Sequence, residues 1–241
     1  MLINKEKCIS CKNCQPYCPA NAIFFTDKDD VVFIDQELCF ECGTCLRVGI
    51  CKVGAIYESP SVYEYPRSVR KFFSDPTTTH KETNMPGRGT EEVKTNDVTN
   101  RCKKGEVGVA LEAGRPTVGT RLYEVEKITM GIAKAGFNNF EESNPVSGLM
   151  ANPITGKFKK EVLNERVLSV IIEFICPENE LERCLNVIHK LSKQIDTVFT
   201  MSLITCYEPG MKIRIQDIID RSKFIPRNNA KINIGIGRKS N

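Results

Sequence analysis

The sequence is poor in groups that carry acid–base or nucleophilic catalysis. It holds two histidines. His80 lies in a polar stretch and is expected to face solvent, and His189 is expected near a helix end, where it meets water or the helix dipole. No Ser-His-Asp set, paired catalytic carboxylates, Walker loop or full dinucleotide fingerprint is present. No run reaches the ~18 apolar residues that a membrane-crossing helix needs. Met1 leads into a polar strand and not into a basic start followed by an apolar stretch, so a cytoplasmic chain is expected. A large excess of one charge is missing too: the net charge of +4 is too mild to argue for nucleic acid.

What the chain does have is cysteine, twelve in all, with eight before residue 52. Without an export pattern, such density points to ligands more than to disulfides. In "KCISCKNCQPYCPANAIFF", residues 7–25, Cys8, Cys11, Cys14 and Cys18 follow C-x2-C-x2-C-x3-C and precede Pro19, the spacing of a [4Fe-4S] run. In "LCFECGTCLRVGICKVGAIYE", residues 38–58, Cys39, Cys42 and Cys45 repeat it, and Cys51 follows after five residues. The "NAI" at 21–23 is answered by "GAI" at 54–56, so the repeat extends beyond the cysteines. A short loop can offer three thiolates to one cubane, and the fourth must come from elsewhere. Zinc instead favours two ligand pairs set apart, with no call for a third cysteine two residues on.

These motifs resemble the two-cluster bacterial-type ferredoxins over residues 1–58. The resemblance implies two [4Fe-4S] clusters with exchanged fourth ligands: Cys8, Cys11, Cys14 and Cys51 for one, Cys39, Cys42, Cys45 and Cys18 for the other. The second run departs from the family by its two extra residues and by Lys52 where proline is usual.

At 241 residues there is room for an ordinary domain beside this module. Three segments are expected: the module at 1–58, an irregular linker at 59–104, and a second domain at 105–241. Apolar periodicity fades in the linker, although "RSVRKFF" at 67–73 could form a short helix. Beyond it, "EVGVALEA" reads as a strand, and Leu122, Val125, Ile128 and Ile132 recur at helical spacing up to Gly136. A strand is expected between Asn138 and Met150, then a hairpin at "NPITGK" and a buried strand at "RVLSVIIEFIC". A second helix carries Leu181, Cys184, Leu185, Ile188 and Leu191 on one face, and "DTVFTMSLITC" alternates like a half-exposed strand. The order is β-α-β-β-α-β, so the fold class is α+β, with a ferredoxin-like plait behind the cluster module. The basic tail at 224–241 is expected to add a strand.

Two glycine-bearing stretches could hold an anion: Arg88 in "PGRGT", and Arg115, Thr117 and Arg121 in "EAGRPTVGTR". As lone patterns these are weak, and the plainer reading of the same residues is turns and a helix cap. The single cysteines Cys102, Cys176, Cys184 and Cys206 read as packed thiols. The segments "PGRGTEEVKTNDVT", "EVGVALEAGRPTVGT", "NPVSGLM" and "IDTVFTMSLI" also resemble the cluster-bearing part of 6-hydroxynicotinate reductase-like proteins of anaerobes, which implies a reductive, anaerobic setting.

Residues 1–60 sum to about −2 and the rest to about +6, and loaded clusters would bring the module near −6. The expected function is electron relay through two clusters to a partner oxidoreductase, such as a flavoenzyme. A reductase with its own substrate or flavin pocket, and a ligand-sensing regulator that could pair as a homodimer, stay open.

Overall fold

The computed structural model describes residues 1–26, 31–80, 84–86, 101–115, 118–210 and 212–226. Both its layers and its loops follow the mixed α+β plan.

The cysteine-rich segment is built from short strands that tie two long loops together. Strand β1 (Leu2–Ile3) pairs antiparallel with β4 (Ile56–Tyr57), joining the two ends of the segment. Between them β2 (Ile23–Thr26) and β3 (Val31–Ile34) form a hairpin in which Ile23 faces Ile34. One cysteine run lies between β1 and β2, the other between β3 and β4, and the second contains the single-turn helix α1 (Thr44–Arg47). The apolar core under these loops is small, with Ile23, Val32, Ile34 and Ile56 buried against Cys39 and Cys45.

The stretch expected to be irregular holds a buried helix, α2 (Ser68–Ser74). Val69 and Phe73, four residues apart and so on one face, join the core of the following unit. Arg70 and Lys71, on another face, are buried too. His80 is not solvent-facing: it is buried, its Nε2 lies 2.7 Å from the Phe72 carbonyl, and its ring packs edge-on against Phe73. The following turn, where Thr79 bridges to Pro86, folds it inward.

The second unit is a three-stranded antiparallel sheet backed by helices. Strand β5 (Glu106–Ala113) is central and is flanked by β10 (Val170–Pro177) and β11 (Phe199–Ile204). Between β5 and β10 run β6 (Thr120–Arg121), α3 (Leu122–Lys134), the hairpin β7 (Met150–Asn152) and β8 (Lys157–Phe158), and β9 (Arg166–Val167), which pairs with β6. Helix α4 (Leu181–Leu191) connects β10 to β11, and a small hairpin, β12 (Tyr207–Glu208) with β13 (Lys212–Ile213), precedes α5 (Gln216–Arg221). Period-2 alternation turns Val107, Val109 and Leu111 of β5 toward the helices, where Val125, Ile128 and Ile132 of α3 and Leu185 and Ile188 of α4 meet them in one core. Gly136 ends α3 with φ +90°, a left-handed closing residue.

The strand expected between Asn138 and Met150 is reduced to a single bridge, Phe140 to Phe174. Pro145 has no N–H to continue a ladder. Instead Asn144 Oδ1 accepts from the Val146 N–H and Glu141 Oε1 from Ser143, which turns the chain out of the ladder, while Asn144 Nδ2 still donates to Glu173 Oε2 of β10 at 2.7 Å. The expected tail strand lies outside the described residues.

Gly119 fixes how closely the two units approach. At its φ of +71°, an added Cβ would sit 2.2 Å from Phe40 Cζ and 3.0 Å from the Val167 carbonyl. Gly119→Ala is therefore expected to destabilise the chain by roughly 1–3 kcal/mol through left-handed strain plus overpacking. Chemical denaturation checks this, and Phe40→Ala in the same chain should recover the part of the loss due to the ring.

Candidate metal centre

The two cysteine loops share an unusual backbone. Ser10 and Lys12 in the first, and Glu41 and Gly43 at the matching places in the second, all have positive φ. So do Asn21 and Gly54, which follow the last cysteine of each run at the same distance. Three of these six are neither glycine nor asparagine, a costly choice in the left-handed region. Its effect is to curl each loop so that successive N–H groups and thiols line a concavity. The N–H of Ala22 donates to Cys18 Sγ at 3.2 Å and that of Ala55 to Cys51 Sγ at 3.2 Å, again in matching positions. Such N–H···S contacts favour thiolate over thiol. At Cys51 burial raises the thiol, but the N–H groups of Ala55, Ile56, Val53 and Gly54 together outweigh it and hold the thiol below its ordinary value.

The thiols fall into two sets that mix the runs. Cys8, Cys11 and Cys14 line one pocket together with Cys51, under Ile3, Val32 and Ile56. Burial raises Cys14, whose neighbours Cys11, Cys8 and Cys51 push the same way against the loop's N–H bond. In the other set, burial pushes Cys45 up to about 12, with Cys42, Cys39 and Cys18 adding repulsion. Thus the last cysteine of each run stands with the first three of the other. All eight are unbridged. Among the described residues no group of three or more His, Cys, Asp or Glu converges as one metal ion requires; the thiols of the first set line a pocket instead. Partly buried sulfur donors that repel one another fit a positively charged iron–sulfur core, which neutralises them.

The two loops differ sharply in exposure. Ile9 is 67% exposed, whereas Phe40, its counterpart, is 1% exposed. Cys11 is exposed, and Cys39 and Cys45 are buried. The cover over the second loop is made of charge as well as apolar surface. Arg70, 2% exposed, donates from Nη1 to the carbonyls of Gln36, Glu37 and Cys39 at 2.9–3.0 Å and from Nε to Glu165 Oε2 at 2.5 Å. Arg67 Nε donates to Glu41 Oε1 at 3.0 Å, and Arg47 bridges the Cys42 carbonyl and Asp75 at 2.7 Å each. Glu41 also accepts from the Met1 amine. Burial alone would raise the Glu41 carboxyl, but these partners hold it below the usual range. The clamp is not legible in the sequence, because apart from the Arg47–Cys42 bond its partners lie 26–95 residues apart. The nearest clue was three basic residues, Arg67, Arg70 and Lys71, within one short apolar-faced helix.

The anion-site candidates are not gathered at one place. Arg88 and Thr117 lie outside the described residues. Arg115 pairs with Glu112 at 2.9 Å, and Arg121 donates to the Asn164 carbonyl at 3.2 Å. The Gly114–Gly119 turn is closed by its own backbone hydrogen bond. Of the single cysteines, Cys102, Cys176 and Cys184 are buried, and Cys102 donates to the carbonyls of Glu106 and Ile204.

Residues 7–56 match the family model described as a 4Fe-4S dicluster domain. The chain is 36% identical over 74 residues to Ferredoxin 7Fe of Hydrogenibacillus schlegelii, covering 28% of this chain and 90% of that protein. It is 49% identical over 65 residues to a ferredoxin of Sorangium cellulosum, covering 24% and 60% respectively. It is also 49% identical over 49 residues to one component of an ion-translocating oxidoreductase complex of Methanosarcina acetivorans, covering 20% and 17%. The chain thus spans less than two thirds of the length of the latter two relatives. No solved structure matches it.

Proposed function

We propose, from the premise that the chain belongs through residues 7–56 to the 4Fe-4S dicluster ferredoxin family and carries two [4Fe-4S] clusters there, that it relays single electrons to a partner oxidoreductase. The clusters would supply the one-electron chemistry; the protein supplies thiolates, an open approach at the first loop and a closed cover over the second. We assign Cys8, Cys11, Cys14 and Cys51 to one cluster and Cys39, Cys42, Cys45 and Cys18 to the other. With four thiolates apiece, neither cluster keeps an open position for substrate, which favours relay over catalysis at iron.

The observation that carries this reading is the contrast between the two thiol sets. The first loop opens to solvent around Ile9 and Cys11, the side on which an external redox partner can approach. The second is closed in by α2, Arg70 and the β6–β9 ladder, so that electrons held there are shielded from adventitious oxidants. A component of an oxidoreductase complex among the relatives supports a partner of the oxidoreductase kind, and a flavoenzyme in cytoplasmic, anaerobic metabolism fits low-potential clusters. Among the described residues no helix is long and apolar enough to cross a membrane. We read residues 105–226 as a plait with a reduced edge strand, acting as the targeting unit.

Single replacements of the two crossing cysteines test the ligand assignment. Cys18→Ser is expected to alter the EPR signal of the cluster on the second loop, and Cys51→Ser that of the first. Loss of the signal belonging to the mutated residue's own run would contradict the exchange.

A further inference from the structure

Outside the thiol sets, the seam between the two units holds a concentration of positive charge that no carboxylate among the described residues neutralises. Strands β6 and β9 form a ladder of two residue pairs, and in it Arg121 stands directly opposite Arg166. Directly opposed residues of an antiparallel pair share a face, with Cβ atoms about 5 Å apart, and like charges there are destabilising. Arg121 is also the residue that caps the N-terminus of the thirteen-residue helix α3, the end where the helix dipole disfavours a cation. Neither arginine has a carboxylate partner among the described residues.

The nearby acids are committed elsewhere. Glu165 is bound to Arg70. Glu124, in the first turn of α3, is bound to Lys127 and to the Asp196 N–H. The arginines themselves are half-buried, open enough to be reached and enclosed enough for charge to be weakly screened. The guanidinium of Arg166 lies over the Phe40 ring, 5.4 Å from its centroid. Burial, then Arg121 and then Arg70, hold Arg166 below its ordinary value, which records the same crowding of cations.

We infer that Arg121 and Arg166 form a binding site for a small oxyanion, the phosphate or carboxylate group of a ligand, seated on the face of the β6–β9 ladder beside Phe40. Two guanidinium forks on one face suit such a group, since each can give paired N–H bonds to its oxygens. The charge of the ligand removes the repulsion that the empty ladder carries. Phe40 follows Cys39 directly, so the ligand would sit against the second cysteine loop, at the seam between both units. This binding does not depend on electron transfer, and it stands or falls separately from the relay reading.

The test uses the full chain in its cluster-loaded form, anaerobically, with orthophosphate and acetate as separate probes and chloride at matched ionic strength as the reference. Thermal unfolding and, for phosphate, 31P line broadening report binding. The wild type is expected to gain stability saturably with one of the two oxyanions beyond the chloride effect. Arg121→Gln and Arg166→Gln should each weaken that binding by about tenfold or more, the loss of a charged hydrogen-bond pair. In chloride alone Arg121→Gln should unfold no lower than wild type, because it relieves repulsion. A preference for phosphate identifies a phosphoryl ligand and a preference for acetate a carboxylate. Should Arg166→Gln lose its packing on Phe40 and misfold, Arg121→Gln, which leaves that ring alone, decides. The inference is overturned if neither oxyanion saturates, if binding is unchanged in Arg121→Gln, or if that variant is less stable than wild type in chloride.

Discussion

Arg70→Met should cost the chain about 3–5 kcal/mol, the usual penalty for breaking a buried ion pair from one side. The side chain ties three carbonyls of the second cysteine loop to Glu165, ninety-five residues away. Methionine fills much of the volume but leaves Glu165 without its cation and the Gln36, Glu37 and Cys39 carbonyls without a donor. Lysine keeps the charge yet cannot fork to all four acceptors, so Arg70→Lys should recover only part of the loss. Arg70→Met combined with Glu165→Met should recover more than Arg70→Met alone, because no carboxylate is then left buried and unpaired. Because the Cys39 carbonyl is one of the acceptors, the second cluster's EPR line shape should change while the first cluster's does not. Denaturation curves with EPR on the same samples check both parts. A loss under about 1 kcal/mol, with both signals unchanged, would mean that the two units are not locked through Arg70 in solution.

The second large effect is expected on removing iron. The apolar core beneath the cysteine loops is a handful of side chains, too little to offset chain entropy in a segment of this size. Three non-glycine, non-asparagine residues in left-handed conformation add strain, and burial holds the thiols of Cys14, Cys39 and Cys45 above their ordinary value. Metal binding and folding are then one process. Chelation under anaerobic conditions should unfold residues 1–58 while the β5–β10–β11 sheet and its two helices, which share a separate and larger core, stay folded. Limited proteolysis should cut the apo protein within the cysteine segment and spare the second unit. Cleavage spread equally over both, or protection of the apo cysteine loops, would contradict this division.

The two cysteine loops were legible because cluster binding is a local property of spacing: three thiols two residues apart must face one concavity, whatever surrounds them. The exchange of Cys18 and Cys51 came from the resemblance to two-cluster ferredoxins and not from the spacing, which leaves the fourth ligand of each run open. The central strands and both long helices of the second unit were legible for a similar reason, since Val107 to Leu111 and Leu122 to Ile132 carry strong periods. What escaped depended on distant partners. His80 sits in a polar stretch and yet is buried, because Phe72 and Phe73 of α2 fold back on it. Arg70 reads as a solvated charge until Gln36, Cys39 and Glu165 are brought to it. The opposition of Arg121 and Arg166 exists only once β6 and β9 are in register. The edge strand was overestimated although Asn144–Pro145, a turn signal, was in view.

Storage and passage of single electrons through two four-iron clusters can be read from anaerobic coulometric titration of the as-purified protein alongside iron and sulfide analysis. The chain is expected to hold about eight iron and about eight sulfide and to take up about two electrons reversibly. About four iron with one electron, or zinc with no reversible uptake, would contradict that expectation.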